Sequence, residues 1–481
     1  SGDIMKKTNI SIAIALLTTS SISLAEEDNS FWGITPSASV ALTTDYIWRG
    51  VSQTNNDPAI QGSFDLAHDS GLYFGVWGSN VEFGDQDTSM ELDVYAGISR
   101  ETDFGGKLPF AIGYDLGVLH YEYTASSASD FTEIYFGGSI SPFENFNFST
   151  YYYYGLKINH NRPGEYTDIS ADYTFFPDSP GSFTILAHGG YYNQKDTANL
   201  GDDYWDWKVG IAKNIAGFNF EVAYFDTDNE GGSGVYGGSQ SLNDGRVVAT
   251  ISKTLGDQAP GMISDSIDAS ASAALTTDYV WRGVSQTNNE PAIQGSFDVA
   301  HDSGIYVGAW ASSFEFENHA SMELDVYGGF SRETDFGGAL PFGLTYDLGV
   351  LRYEYTSSAK SNFTEIYFGG SIAPVENLNI STYYYYGLKI EHTHPGEYTD
   401  MAIDYTLPES LGSLTLLGHA GYYNQKQGLD NYWDWKAGVA RDFGPFNIEV
   451  AYTDTDDSEA FNSDGRRLDE SKVVATLSAT F

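Results

Sequence analysis

The sequence predicts an all-β protein: a transmembrane antiparallel β-barrel of about twelve strands, present as two tandem copies. Three observations predict it. A period-two alternation recurs along the chain, a domain-sized segment occurs twice, and the connections alternate between short and long. Met90, Leu92, Val94, Ala96 and Ile98 alternate with Glu91, Asp93, Tyr95, Gly97 and Ser99. Successive side chains of a strand point to opposite faces, so this spacing puts an apolar set on one face and a polar set on the other. Trp205, Trp207, Val209 and Ile211 repeat the pattern, as do Phe218, Phe220, Val222 and Tyr224. About twelve such runs occur per copy, each of roughly the ten residues that a tilted strand needs to cross a bilayer.

The duplication is equally direct. Leu42–Asn56 returns almost letter for letter as Leu275–Asn289, Tyr151–Lys157 as Tyr383–Lys389, Pro163–Asp168 as Pro395–Asp400, and Trp205–Lys208 as Trp433–Lys436. Residues shared by such similar copies can reflect recent copying rather than function. The expected organisation is a signal peptide with a short upstream extension at 1–25, a first barrel repeat at 26–255, a periplasmic linker at 256–268 and a second repeat at 269–481. Two barrels of about twelve strands are expected, because a unit that closes alone need not reopen when duplicated and the linker exceeds a tight periplasmic turn, with one barrel of about twenty-four as the alternative. If Gly245–Leu255 pairs with Ser37–Tyr46 the chain makes two narrow barrels, and if it pairs with Ser270–Tyr279 it makes one wide one.

Alternation alone also fits a soluble sandwich, so the choice of a membrane barrel rests on further features. His68–Gly71, Ser141–Asn145 and Ile215–Gly217 are short connections, whereas Asn80–Ser89, Gln194–Asp203 and Asp226–Gly245 are longer and acidic. Short turns on one side and long loops on the other are an outer-membrane pattern. Tyr46, Trp48, Tyr152, Tyr154, Trp205 and Trp207 sit near run ends, where aromatic girdles meet the lipid–water boundary. Val473, Ala475, Leu477, Ala479 and Phe481 share one face of the last run, and the aromatic Phe481 is the expected assembly signal. Met5-Lys6-Lys7, the apolar stretch Ile10–Leu24 and Ser23-Leu24-Ala25 read as an export signal. The expected location is the outer membrane of a Gram-negative bacterium.

Composition narrows the function. The chain of 481 residues has no cysteine, and 23 Lys+Arg against 66 Asp+Glu give a net charge of −43. Thiol chemistry is excluded, and such a charge repels nucleic acid and draws cations. The Thr-Thr-Asp-Tyr-(Ile/Val)-Trp-Arg-Gly-Val-Ser-Gln-Thr block, the signal peptide and the terminal strand together resemble the TorF family of porin-like proteins, a proteobacterial group, across essentially the whole mature chain and twice. The resemblance implies an outer-membrane β-barrel with a channel role and brings no established substrate. Members of that family resemble a single copy, so the duplication is a departure.

With apolar faces toward lipid, the lumen of copy one receives Asp45, Asp65, Glu91, Asp93, Asp115, Glu133, Asp168, Asp172, Asp206 and Glu221, opposed by Arg49, Lys157 and Lys208. Copy two offers Asp278, Asp298, Glu323, Asp325, Asp347, Glu365, Asp400, Asp404, Asp434 and Glu449, opposed by Arg282, Lys389 and Lys436. Carboxylates around a narrow channel favour cations. The expected function is therefore a channel for passive diffusion of small solutes, preferring cations. The bland reading is that these acids hold the interior together with Arg, Lys and Tyr, and a non-conducting structural or adhesive surface protein is the alternative function. Asp45 and Arg49 are expected on one strand face, as are Asp278 and Arg282. Tyr151, Tyr153, Tyr383 and Tyr385 are expected to point inward, and His188 and His419 sit in matching strands without a motif that would make them ligands.

Other motifs carry little. Asp226-Thr-Asp-Asn-Glu-Gly231 begins like a calcium loop, but Gly237 stands where a glutamate is required and Asp454–Glu459 lacks the glycine. Loose divalent binding that bridges lipopolysaccharide is the remaining role for these acids. Gly232–Gly237 matches a dinucleotide glycine pattern without the strand–turn–helix context. No Gly-x-Ser-x-Gly or His-Glu-x-x-His occurs, so no enzyme, cofactor or resident metal is expected. The expected partners are outer-membrane lipid and lipopolysaccharide, the outer-membrane assembly machinery, and small solutes or cations.

Overall fold

Residues 32–481 of the computed structural model are described below, apart from loop stretches of which the longest are 195–202, 229–241 and 257–265. The expected signal peptide, most of the expected linker, the second half of the calcium-like stretch Asp226–Gly231 and the glycine-rich loop of copy one lie outside the described residues.

Two closed antiparallel barrels follow one another along the chain. The first contains β1 (Ile34–Thr43), β2 (Ile47–Trp48), β3 (Val51–Ser52), β4 (Ala59–His68), β5 (Leu72–Asn80), β6 (Met90–Thr102), β7 (Ile112–Tyr123), β8 (Phe131–Ile140), β9 (Phe146–Leu156), β10 (Glu165–Phe175), β11 (Phe183–Asn193), β12 (Tyr204–Ile215), β13 (Phe218–Thr227) and β14 (Arg246–Thr254). The second contains β15 (Ile267–Thr276), β16 (Val280–Trp281), β17 (Val284–Ser285), β18 (Ala292–His301), β19 (Ile305–Phe316), β20 (Ala320–Thr334), β21 (Leu344–Tyr355), β22 (Phe363–Val375), β23 (Leu378–Gly387), β24 (Glu397–Thr406), β25 (Thr415–Asn424), β26 (Tyr432–Phe443), β27 (Phe446–Thr455) and β28 (Lys472–Thr480). Twelve strands form each wall, while β2–β3 and β16–β17 stand apart as two-stranded ribbons. Two single-turn 3-10 helices, Ala359–Ser361 and Glu409–Leu411, are the helical content of the described residues.

Closure answers the question that the repeat left open. β1 pairs with β14 in the register Ser39 with Thr254 through Thr43 with Thr250, and β15 pairs with β28 from Ser272 with Thr480 to Thr276 with Thr476. Each copy therefore closes on itself, and no wall strand is left with an unpaired edge.

The alternation sorts as expected. Leu72, Phe74, Leu116, Val118, Ile134, Phe136, Val209 and Ile211 are exposed on the outside of barrel one, whereas Tyr73, Tyr95, Tyr135 and Tyr151 are buried inside. Ile305, Val307, Leu348, Val350, Ile366 and Phe368 repeat that exterior in barrel two. Covering each such side chain contributes roughly 1.5–3 kcal/mol. In hydrocarbon, moreover, only a structure that satisfies all its backbone groups internally survives. A closed wall with this exterior meets both conditions, so these are transmembrane barrels of the Gram-negative outer-membrane kind.

Inside, glycines let tyrosine rings lie against the wall. A Cβ on Gly117 would sit 2.3 Å from the Tyr135 hydroxyl, and one on Gly97 would sit 2.3 Å from that of Tyr73. A bulkier residue at either place would force the ring toward the axis, so these pairs fix how much of the lumen is filled.

Candidate functional site: the arginine hairpins of the two lumens

After β1 the chain does not turn straight into the next wall strand, β4. It folds back inside barrel one as the β2–β3 ribbon, with Ile47 paired to Ser52 and Trp48 to Val51. The two residues at its tip, Arg49 and Gly50, have φ of +48° and +81°. Paired positive φ values are what a tight two-residue hairpin requires, and Gly supplies one of them without cost. Arg49 carries the other, a conformation that a long side chain adopts only when its surroundings enforce it. The tip packs directly on the wall at β12 and β13: a Cβ on Gly50 would lie 2.4 Å from Thr227 Cγ2 and 2.7 Å from Asp206 Cβ.

Arg49 is the centre of the site. Its Nη2 donates to Glu133 Oε2 on β8 at 2.6 Å. The guanidinium carbon lies 4.2 Å from the ring centroid of Trp48, 4.5 Å from Tyr166, 4.9 Å from Tyr192 and 5.5 Å from Tyr153. A guanidinium is held by the electron-rich ring faces and the carboxylate together, which is the strongest form such a contact takes away from water. The Tyr204 hydroxyl donates to the Arg49 carbonyl at 2.9 Å, and Tyr121 donates to Glu133 at 3.1 Å. Arg49 Nη1 and Glu133 Oε1 are buried with no protein partner among the described residues. A buried polar atom left so costs about 1–3 kcal/mol.

The base of the hairpin is fastened separately. Asp45 accepts from Ser52 at 2.6 Å, from Thr54 at 3.1 Å and from Arg246 Nη1 at 2.9 Å. Burial pushes the Asp45 carboxyl above its usual range, with the Ser52 and Arg246 hydrogen bonds opposing. Tyr46 donates to Glu91 at 3.0 Å. Barrel two repeats the arrangement: Arg282 donates to Glu365 at 2.7 Å, Tyr432 to the Arg282 carbonyl at 3.0 Å, and Lys472 to Asp278 at 2.9 Å.

Elsewhere in the lumen the acids are tied to tyrosine and histidine. Tyr73 donates to Asp115 at 2.7 Å and shares a hydrogen bond with Tyr135, while Tyr95 donates to Asp65. His188 lies between Asp168, 2.8 Å from Nδ1, and Asp206, 2.9 Å from Nε2. Lys208 pairs with Glu221 at 2.5 Å, and Asp172 accepts from Asn147 at 3.0 Å. In barrel two, Asp347 accepts from Tyr306 at 2.7 Å, Asp298 from Tyr327, and His419 lies 2.9 Å from Asp400 and 3.6 Å from Asp434. Lys436 pairs with Glu449 at 2.9 Å. Glu323 accepts from Tyr279, Asp325 lies buried two residues on, and Asp404 is half-buried opposite Asn379.

Several expectations need correction. Asp45 and Arg49 do not share a strand face, since the chain between them turns into the lumen; Asp45 pairs with Arg246 and Arg49 with Glu133. Asp278 and Arg282 divide in the same way between Lys472 and Glu365. Tyr46 is no girdle residue but is fully buried, and Trp48 packs edge-on against Tyr121 and Tyr192. Lys157 and Lys389 are exposed just past their strands and, among the described residues, pair with no lumen acid. The cations that do so and were overlooked are Arg246 and Lys472. Their signal was available, because a basic residue opens the last strand of both copies. Among the described residues, no cluster of His, Asp and Glu has the geometry to hold a metal ion.

No curated protein matches the chain. Among solved structures, OccAB3 of Acinetobacter baumannii overlaps at a TM-score of 0.29 and 9% identity, covering 93% of this chain and 99% of that one. The outer membrane protein OpdK of Pseudomonas aeruginosa overlaps at 0.29 and 8%, covering 93% and 98%. The siderophore receptor PirA of the same organism overlaps at 0.30 and 11%, covering 93% and 80%. Overlaps this loose say nothing about what the chain does. Residues 27–255 and 263–481 each match one protein family, and the chain belongs to it: the Gcw_chp family, described as bacterial proteins of unknown function.

Proposed function

We propose that each barrel is a narrow outer-membrane channel of the porin type for small solutes, preferring cations and constricted by its arginine hairpin. One observation carries this reading: the ionisable side chains buried in the lumen are mostly carboxyls. In barrel one, Glu91, Asp93, Asp115, Glu133, Asp168, Asp206 and Glu221 are buried inside, and among the described residues the Arg and Lys side chains that meet lumen acids are Arg49, Lys208 and Arg246. Excess carboxylate in a confined, weakly screened space raises the local concentration of cations and lowers that of anions. The resemblance to the TorF porin-like proteins points the same way. Outer-membrane lipid and lipopolysaccharide are the partners of the wall, and the outer-membrane assembly machinery that of its insertion.

Planar-bilayer recording in a salt gradient tests the proposal. Discrete conductance steps with a reversal potential on the cation side are expected, and an anion-side reversal overturns it. The ribbons folded into both lumens favour a second reading, a structural or adhesive barrel without steady conductance. Vesicles that neither swell in sugars nor pass ions would select that one.

A further inference from the structure

We propose that the wall around Arg49 is a binding site for guanidinium-type organic cations, that Arg49 is its tethered occupant, and that a free cation of this class displaces the hairpin and opens the lumen. The inference deepens the channel reading and rests on it for the consequence of opening, but not for the binding itself.

The site divides cleanly by origin. β9, β10 and β11 supply the rings of Tyr153, Tyr166 and Tyr192, and β8 supplies the carboxylate of Glu133. The guanidinium and Trp48 come from the hairpin, which belongs to a sheet of its own. Withdrawing the hairpin would therefore leave the wall part of the cage intact. What remains, three tyrosine faces and one carboxylate, selects a flat, weakly hydrated cation over a compact ammonium. The planar ion stacks on the rings and presents several N–H groups to the acid.

The seated state is also held imperfectly. Arg49 meets Glu133 through one nitrogen and one oxygen, leaving Nη1 and Oε1 without a protein partner among the described residues, and its backbone sits at positive φ. A free guanidinium is not bound by that backbone and can orient both nitrogens toward the carboxylate. It makes a contact with the carboxylate that the tethered side chain does not, and a ligand that prefers the open arrangement shifts the population toward it. Barrel two builds the same site: its Arg282 guanidinium lies 4.4 Å from Tyr398, 4.8 Å from Tyr423 and 5.6 Å from Tyr385, with Glu365 as the acid.

Because the chain has no cysteine, one introduced thiol reports on the hairpin alone. Val51→Cys places it on β3, at a side chain that is 8% exposed. The full chain is folded into vesicles, its folding checked by heat-modifiable migration, and the rate of modification by a water-soluble thiol reagent is measured. Methylguanidinium is expected to raise that rate saturably, by about tenfold, whereas butylammonium at equal ionic strength leaves it unchanged. Glu133→Gln in the same barrel abolishes the response, and Glu365→Gln in the other leaves it intact. Arg49→Ala gives the fast rate without any ligand. A rate indifferent to methylguanidinium, an equal response to butylammonium, or a response that survives Glu133→Gln overturns the proposal. The labelling needs no current, so failure of the channel reading and failure of this one are seen separately.

Discussion

The two lumens share their arginine hairpins almost to the tenth of an ångström, yet differ beside the lysine of the β12 and β26 strands. In barrel one Lys208 lies 5.2 Å from the ring centroid of Phe225 and its side chain is 9% exposed. Barrel two has Thr453 where that ring would be, and Lys436 is 40% exposed and stands 2.9 Å from its glutamate rather than 2.5 Å. An aromatic ring at this place shields the ion pair from water, and a threonine does not. Since the hairpins are unchanged by this difference, the constriction behaves as a unit of its own and the wall around it is free to vary.

Five substitutions bear on that comparison, from the largest expected effect to the smallest. Glu133→Ala leaves Arg49 buried without its counter-charge and is expected to lower the stability of barrel one by about 3–5 kcal/mol, with Glu365→Ala costing barrel two the same. Urea unfolding in detergent micelles, with a fluorophore in one barrel at a time, measures both, and unequal losses would break the equivalence of the hairpins. Phe225→Thr should cost barrel one about 2 kcal/mol and bring acylation of Lys208 up to the rate of Lys436. Thr453→Phe should shield Lys436 in return, and a change in conductance from either would couple the wall to the constriction. The smallest effect concerns acid. Burial alone would raise the carboxyl of Asp469, but hydrogen bonds from Arg467 and Ser458 outweigh it and hold the group below its usual range. A lowered folded value means that the stabilisation is complete above the unfolded carboxyl value of about 4 and is lost as the pH falls through the folded one. Barrel one carries Asn243 at the matching place, where its carbonyl accepts from Thr227 as that of Asp469 does from Thr455. Thermal unfolding followed through the acid range should thus show this loss in barrel two alone, and Asp469→Asn should remove it.

The walls were legible in the sequence because lipid and lumen impose an alternation, and strands such as Met90–Thr102 and Tyr204–Ile215 follow it along most of their length. The two-barrel closure could be read only indirectly, from a linker longer than a tight turn, since nothing in β14 itself says whether β1 or β15 is its partner. The hairpin escaped for a conformational reason. Thr44–Gln53 reads as one more alternating run, and only the positive φ at Arg49 and Gly50 turns it inward. The bracketing of His188 was hidden because Asp168, His188 and Asp206 come from three neighbouring strands and meet only in register. Tyr121, Tyr153 and Tyr166, by contrast, could be assigned inward from parity, though not to a cage around one guanidinium.

Each cylinder is zipped shut by a short seam. Five residue pairs join β1 to β14, from Ser39 with Thr254 to Thr43 with Thr250, whereas ten join β1 to β4 on its other side. Under lateral tension from the bilayer, or while the last strand is being threaded home, this stretch is the first to part and the last to form. Lengthening it is the simplest way to toughen the protein, and a covalent staple between Ala41 and Ser252 would lock the gate through which a nascent sheet becomes a tube.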